Sequence, residues 1–406
     1  MAGGRRPRGT RRGQEATLAA GSGAHHSLPM SDLPMSDPRL TPLAAALPAT
    51  VPFVGPEAIE RQRHLTFTAR LGANENGFGP SPRAVAAMER AAREVWMYGD
   101  PEMHDLRAAL AARHGCDPAH VMPGEGIDGL LGLLVRLTVE PGSPVVTSRG
   151  SYPTFAFHVA GFGGRLLTAP YRDDRPDLDA LAALARESGA CLVYLANPDN
   201  PSGAWHAAKT VQRLLDDLPR ETLLVLDEAY AEFAPEGTLP DCDPADPRLI
   251  RLRSFSKAHG LAGLRVGYAL GPAGLIAAFD RVRNHFGLGR LAQAGALAAL
   301  EDDAWVTQTV ERVAAARDRI ARLAHAEGLV PLPSATNFVT IDCGRDGPFA
   351  RAVLEGLLRR GIFVRMPGAA PLDRCIRVSA GPDEALAAFA AALPAALAEA
   401  REGAGC

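Results

Sequence analysis

Lysine is almost missing from this chain: of its 43 basic residues only Lys209 and Lys257 are not arginine. An arginine guanidinium stays protonated at any working pH and cannot act as an amine nucleophile, so any amine chemistry is confined to two side chains. Apolar runs reaching the ~20 residues of a membrane span are missing too. The formal net charge of −3 supplies no global field to draw in nucleic acid. Six cysteines (Cys116, Cys191, Cys242, Cys343, Cys375, Cys406) lie far apart, with no CxxC pair and no Cys/His cluster at metal spacing. That excludes a zinc module and reads as reduced thiols in a cytoplasmic, soluble protein.

What is present is a long, well-mixed chain of 406 residues, 47% hydrophobic and 22% charged, large enough for two domains. Residues 1–37 are rich in Gly, Ala, Ser and Arg without hydrophobic periodicity and are expected to be disordered, with Met30 and Met35 as alternative starts. Arg11-Arg12 lacks the apolar segment a twin-arginine signal would need. Residues 38–75 are expected to join a smaller domain. From 76 to 303 helical stretches alternate with continuous apolar runs: 144–147, 191–195, 222–226 and 266–270. Such runs between helices predict an α/β domain whose mostly parallel sheet is covered on both faces. Residues 304–406 read as a smaller α+β domain: a helix near 304–327, strands at 337–341, 362–365 and 375–379, and a final Ala/Leu-rich helix from about Pro382 that Pro394 interrupts.

Ligands of open α/β sheets bind beyond the carboxyl ends of the strands, and three polar stretches stand there. Asn197-Pro198-Asp199-Asn200-Pro201-Ser202-Gly203 follows the first half of the pattern, Asp227-Glu228-Ala229-Tyr230 follows the strand at 222–226, and Ser254-Phe255-Ser256-Lys257 precedes Arg265 by eight residues. Each alone is an ordinary turn or strand end. Together they fit pyridoxal 5′-phosphate (PLP), which needs an amine for its aldehyde, an anion beside its pyridine nitrogen, donors at its phenolic oxygen and a phosphate cradle. Lys257 supplies the amine, Asp227 the anion, and Tyr230 with Asn200 the donors. Ser254, Ser256 and the Arg265 fork suit phosphate oxygens, and the turn Gly124-Glu125-Gly126-Ile127-Asp128 opens a helix whose first N–H groups face outward. Lys209 reads as a solvated surface charge.

This combination resembles the fold-type I PLP enzymes, the class I/II aminotransferases, over about residues 40–390. Within them it is most similar to the histidinol-phosphate aminotransferase group. Leu71-Gly72-Ala73-Asn74-Glu75-Asn76-Gly77-Phe78-Gly79-Pro80-Ser81-Pro82 is similar to that group's LNxNENPxGPSP segment, departing at Gly72 and Gly77. The group's usual acidic residue is replaced by Gly129.

The resemblance implies a Schiff base on Lys257, Asp227 at the pyridine nitrogen, and Asn200 with Tyr230 at the phenolic oxygen. Tyr152 would stack on the ring, while Ser254, Ser256, Arg265, Gly126, Ile127 and Asp128 would hold the phosphate. Tyr98 would reach the cofactor of a partner subunit in a homodimer with shared sites. Arg377 would grip a substrate carboxylate with Asn337 assisting, Arg365 would meet a distal phosphate, and Asn76 would lie on the substrate side. It further implies transfer of an amino group from histidinol phosphate to 2-oxoglutarate by ping-pong turnover. An aromatic or broad-specificity aminotransferase and a phosphothreonine decarboxylase-like enzyme stand as alternatives. A regulator fused to a DNA-binding module is set aside, because the first 40 residues are too short to form one.

Overall fold

The computed structural model describes residues 39–48 and 53–403; the segment 1–37, expected to be disordered, lies outside the described residues. Seven strands form the main sheet: β1 (Val121–Gly124), β2 (Pro144–Ser148), β3 (Arg165–Ala169), β4 (Leu192–Ala196), β5 (Leu223–Asp227), β6 (Leu249–Ser254) and β7 (Gly267–Leu270). Their spatial order is β1-β7-β6-β5-β4-β2-β3. β7 runs antiparallel to both neighbours, and the other pairs are parallel.

β4 and β5 are buried along their whole length. Strict alternation divides their side chains between two cores. Leu192, Tyr194 and Ala196 meet the helix Gly126–Thr138 on one face, whereas Val193 and Leu195 meet the helices Leu178–Ser188 and Ala208–Asp217 on the other. Lys209 sits in the first turn of the second of these. β1, β3 and β6 were not anticipated by composition; β6 in particular carries Arg251 and Arg253 inside an otherwise apolar strand.

A three-stranded antiparallel sheet (Val330–Pro331, Phe338–Asp342, Cys375–Ser379) packs with the helices Asp303–Ala326, Gly347–Arg359 and Asp383–Gly403 into a separate apolar cluster. Ala69–Arg70 pairs in parallel with Ile362–Phe363. The strand expected at 362–365 ends at Phe363, and Arg365 instead makes a lone antiparallel bridge to Arg377. The last helix also differs from expectation: it continues through Pro394. Leu393, Ala396 and Leu397 on either side of the proline are buried, and Ala396 lies so close to Gly356 that a Cβ there would approach it to 2.9 Å. Burying that face outweighs the ~3 kcal/mol a mid-helix proline costs. Among the described residues no helix is long and apolar enough to cross a membrane.

The arginines of β6 are explained by Glu228, which is fully buried. Its carboxylate accepts from Arg251 Nη2 at 2.9 Å and from Arg253 Nε at 2.7 Å. Buried charges are tolerable only as a set: Glu228 is shared by both arginines and Glu232 adds a longer pair to Arg253 at 3.7 Å, so removing Glu228 strips Arg251 of its ion pair and leaves Arg253 the weaker one. Glu228→Gln is therefore expected to lower unfolding stability by about 3–5 kcal/mol, read from the urea midpoint; a loss below ~1 kcal/mol, the scale of solvent-screened pairs, would contradict this account.

Candidate active site

The carboxyl ends of β2, β4, β5 and β6 open into one cavity of about 370 Å³. Twelve of the residues singled out in the sequence line it: Lys257, Asp227, Tyr230, Asn200, Tyr152, Ser254, Ser256, Arg265, Ile127, Asp128, Arg365 and Arg377. Gly126 stands directly behind Ile127. Chain topology accounts for this convergence: most of these residues lie at or just past the end of a strand of the main sheet, Arg265 stands just ahead of β7, Arg377 comes from the smaller sheet and Arg365 from the bridge beside it.

Asp227 ends β5 and is buried. Burial pushes its pKa up to about 6, opposed by hydrogen bonds from the Tyr194 hydroxyl and the Ala229 N–H. Lys257 Nζ donates to Asn74 O at 2.9 Å. Desolvation, with Arg377 and Arg265 nearby, brings its amine down to about 8. Such an amine is uncharged far more often at neutral pH than a surface lysine. The Tyr230 hydroxyl accepts from Asn74 Nδ2 at 2.9 Å, and burial raises its pKa, so it keeps a proton to donate. Asn200 Oδ1 accepts from Arg377 Nη1, which leaves its amide N–H groups for the cavity.

One end of the cavity is lined by hydrogen-bond donors and a cation. The helix Gly126–Thr138 begins without a side-chain cap, so its first N–H groups are unsatisfied by the cap residue. Gly126 has φ +75°, and a Cβ there would lie 2.6 Å from Arg265 Nη2. Arg265 itself is held at φ +56°, a left-handed conformation costly for a non-glycine residue and common where a site dictates the backbone. The hydroxyls of Ser254 and Ser256 stand at the same rim, the latter 3.4 Å from Arg265 Nη1.

At the other end lie Arg365 and Arg377, joined by backbone hydrogen bonds in both directions. Arg365 is flanked by the rings of Phe53 and Phe363 at 5.0 and 5.5 Å, and Arg377 lies over Phe338 at 5.1 Å. Both Nε atoms are buried without a hydrogen-bond partner among the described residues, and neither guanidinium has a carboxylate bound to it. Burial and the charge of Arg377 lower Arg365 to about 10, still protonated at neutral pH.

Three residues singled out in the sequence sit elsewhere. Asn337 is buried: its amide N–H groups donate to the carbonyls of Asn74 and Glu75, and its Oδ1 has no hydrogen-bond partner among the described residues. Asn76 donates to Ala258 O. Tyr98 is 76% exposed, its ring against Phe286 at 4.5 Å, outside the cavity. The sequence reading missed Asn74, Tyr194 and Phe53, all of which line the cavity. Asn74 lay inside the noted Leu71–Pro82 segment; Tyr194 lay in an apolar strand, where nothing marks it off from a core tyrosine.

Residues 68–393 match the sequence family described as aminotransferase class I and II. The chain belongs to that family. It is 38% identical over 349 residues to a histidinol-phosphate aminotransferase of Anaeromyxobacter sp., covering 85% of this chain and 95% of that protein. A solved histidinol-phosphate aminotransferase from Sinorhizobium meliloti, in complex with pyridoxal-5′-phosphate, superposes with TM-score 0.85 at 53% identity, covering 89% and 98% of the two chains. An aspartate aminotransferase of Thermus thermophilus, at 23% identity and TM-score 0.71 over 83% and 94%, shares the fold.

With only two lysines in the chain, Lys257 can be followed by site-resolved labelling with an amine reagent. In cofactor-free protein its labelling rate should rise with pH through a midpoint near 8, about two pH units earlier than an ordinary lysine; mass spectrometry of the labelled peptide decides, and a midpoint above 10 would show that the amine is not desolvated.

Proposed function

We propose that this chain is a PLP-dependent aminotransferase whose amino donor is histidinol phosphate and whose acceptor is 2-oxoglutarate. The observation that carries the reading is one cavity holding a weakened amine, Lys257, a buried carboxylate, Asp227, and anion-binding groups at both ends. The residues present fit the cofactor: Ser254, Ser256, Arg265 and the start of the helix Gly126–Thr138 match a phosphate, while Asp227 matches a pyridine nitrogen. Tyr152, whose ring is held by Phe53 at 6.1 Å, would cover the cofactor ring.

When bound, PLP supplies an electron sink for the charge that develops at the substrate α-carbon. Asp227 holds a proton on the pyridine nitrogen, which keeps that sink effective. Lys257 Nζ removes the α-proton and redelivers it, a task suited to an amine near the working pH. Asn200 and Tyr230 direct their donors at the phenolic oxygen. Arg365 and Arg377 hold the anionic group of the substrate: the phosphate ester of histidinol phosphate in one half-reaction and a carboxylate of the keto acid in the other. A fork of two guanidiniums with free Nε–H groups can serve either anion, which a ping-pong enzyme requires.

A homodimer with shared sites is part of the proposal. Tyr98, 76% exposed, stands against Phe286, and Trp96, two residues earlier, is 80% exposed; these are exposed aromatics that a second copy would cover. The cysteines of the described residues are free, in keeping with a cytoplasmic setting.

The test is to purify the protein with PLP, record its yellow absorbance, and add L-histidinol phosphate or L-phenylalanine in separate cuvettes without a keto acid. Histidinol phosphate should bleach the colour rapidly and phenylalanine should not; the reverse preference would move the donor to aromatic amino acids. Lys257→Ala should abolish turnover, and an active variant would sink the scheme. Arg365→Lys should lower kcat/KM for histidinol phosphate by about 10–100-fold, the loss expected when a bidentate contact becomes a point charge.

A further inference from the structure

The two oxygens of Asp227 are held differently. Oδ1 accepts the Ala229 N–H at 3.0 Å, whereas Oδ2 accepts the hydroxyl of Tyr194 at 2.7 Å. Tyr194 opposes Val225 in the β4–β5 register, and Ala196 opposes Asp227. Tyr194 and Asp227 are therefore diagonal neighbours on the same face of the sheet, a spacing that a side chain as long as tyrosine bridges. The ring is clamped: it stacks on Phe155 with centroids 4.5 Å apart and planes at 16°, and its residue is 1% exposed. Among the described residues its hydroxyl has Asp227 as its hydrogen-bond partner, and the residue lines the cavity.

We propose that Tyr194 is a positioning residue for the cofactor: its hydroxyl keeps Asp227 ionised and oriented so that the carboxylate's open acceptor site meets the pyridine nitrogen of PLP. The inference rests on the PLP reading above.

A carboxylate this deeply buried tends to take up a proton, and a neutral carboxyl no longer supplies the negative charge that would hold a proton on the pyridine nitrogen. Of the contributions that favour the charged form, the Tyr194 hydrogen bond is the largest, followed by the Ala229 N–H and the charge of Lys257; Glu228 acts against it. Tyr152 and Tyr230 face the carboxylate from the far side of the cavity, and both stay neutral because burial raises them. Tyr194 is thus the one uncharged side chain that donates to this carboxylate among the described residues. A phenylalanine would keep the stack on Phe155 and leave Oδ2 without its donor.

The experiment is a double-mutant cycle on the full chain: wild type, Tyr194→Phe, Asp227→Asn and the double variant, each stripped of cofactor and titrated with PLP by absorbance. Apoprotein melting temperatures are recorded alongside. Tyr194→Phe should weaken PLP binding about tenfold, with the apoprotein melting temperature within a few degrees of wild type. In the Asp227→Asn background, where no carboxylate remains to be held, the same change should alter PLP binding less than about twofold. An unchanged PLP affinity in Tyr194→Phe, or an equal loss in both backgrounds, would overturn the inference and leave Tyr194 a packing residue. Wild-type protein that takes up no PLP would overturn the cofactor reading itself, and this inference with it.

Discussion

A carboxylate at the end of a fully buried strand is costly to keep charged, and much of the site exists to keep Asp227 there. β5 delivers it because its neighbours β4 and β6 run parallel to it and end beside it, so that three strand ends share one patch of desolvated space. Desolvation then acts in opposite directions on opposite charges: it raises Asp227 and lowers Lys257, narrowing the gap between an acid and a base that in water would be separated by more than six pH units. The reactive amine is a consequence of the same dry environment that threatens the carboxylate.

Next to it the chain solves a second electrostatic problem differently. Glu228, the following residue, points to the opposite face and pairs with Arg251 and Arg253, the latter lying 3.7 Å from Glu232 as well. Neighbouring acids in one strand end thus serve two ends: Asp227 is left with an acceptor open to the cavity, and Glu228 is fully spent on the scaffold. Period-two alternation is what allows the sequence Asp-Glu to be split in this way.

The parts of the site that were legible in the sequence are those that depend only on local order. Lys257 stood out because lysine is rare, and Asp227, Asn200 and Tyr230 because they follow apolar strand runs. What stayed hidden depends on which strand lies beside which. That β4 neighbours β5 is a fact of topology, and without it Tyr194 is one more core aromatic. β6 was overlooked because its two arginines break an apolar pattern that only a buried Glu228 can excuse. Asn337, expected to assist Arg377 with a substrate carboxylate, donates to the backbone of Asn74 and Glu75, an anchoring that its place in the sequence does not disclose. Local spacing can also mislead: Gly124, Gly126 and Gly129 fall at the GxGxxG spacing of dinucleotide sites, yet of the three Gly126 alone lies against Arg265, while Gly124 faces Leu130 and Gly129 faces Glu125.

Asn74 shows how the smaller sheet is tied to the chemistry. Its φ of +54° is a left-handed conformation that asparagine tolerates better than most residues. That conformation lets one residue use every polar atom it has: its N–H donates to Ser379 Oγ, its carbonyl accepts from both Lys257 Nζ and Asn337 Nδ2, its amide donates to the Tyr230 hydroxyl, and Oδ1 accepts from Ser379 Oγ at 3.3 Å. Ser379 ends the same strand that carries Arg377. A shift of that strand would therefore be felt at the amine and the phenol through Asn74, as well as at Asn200 through Arg377. The groups proposed to hold a substrate anion and those proposed to move its proton share one hydrogen-bond network, so their relative placement is set by the folded chain itself.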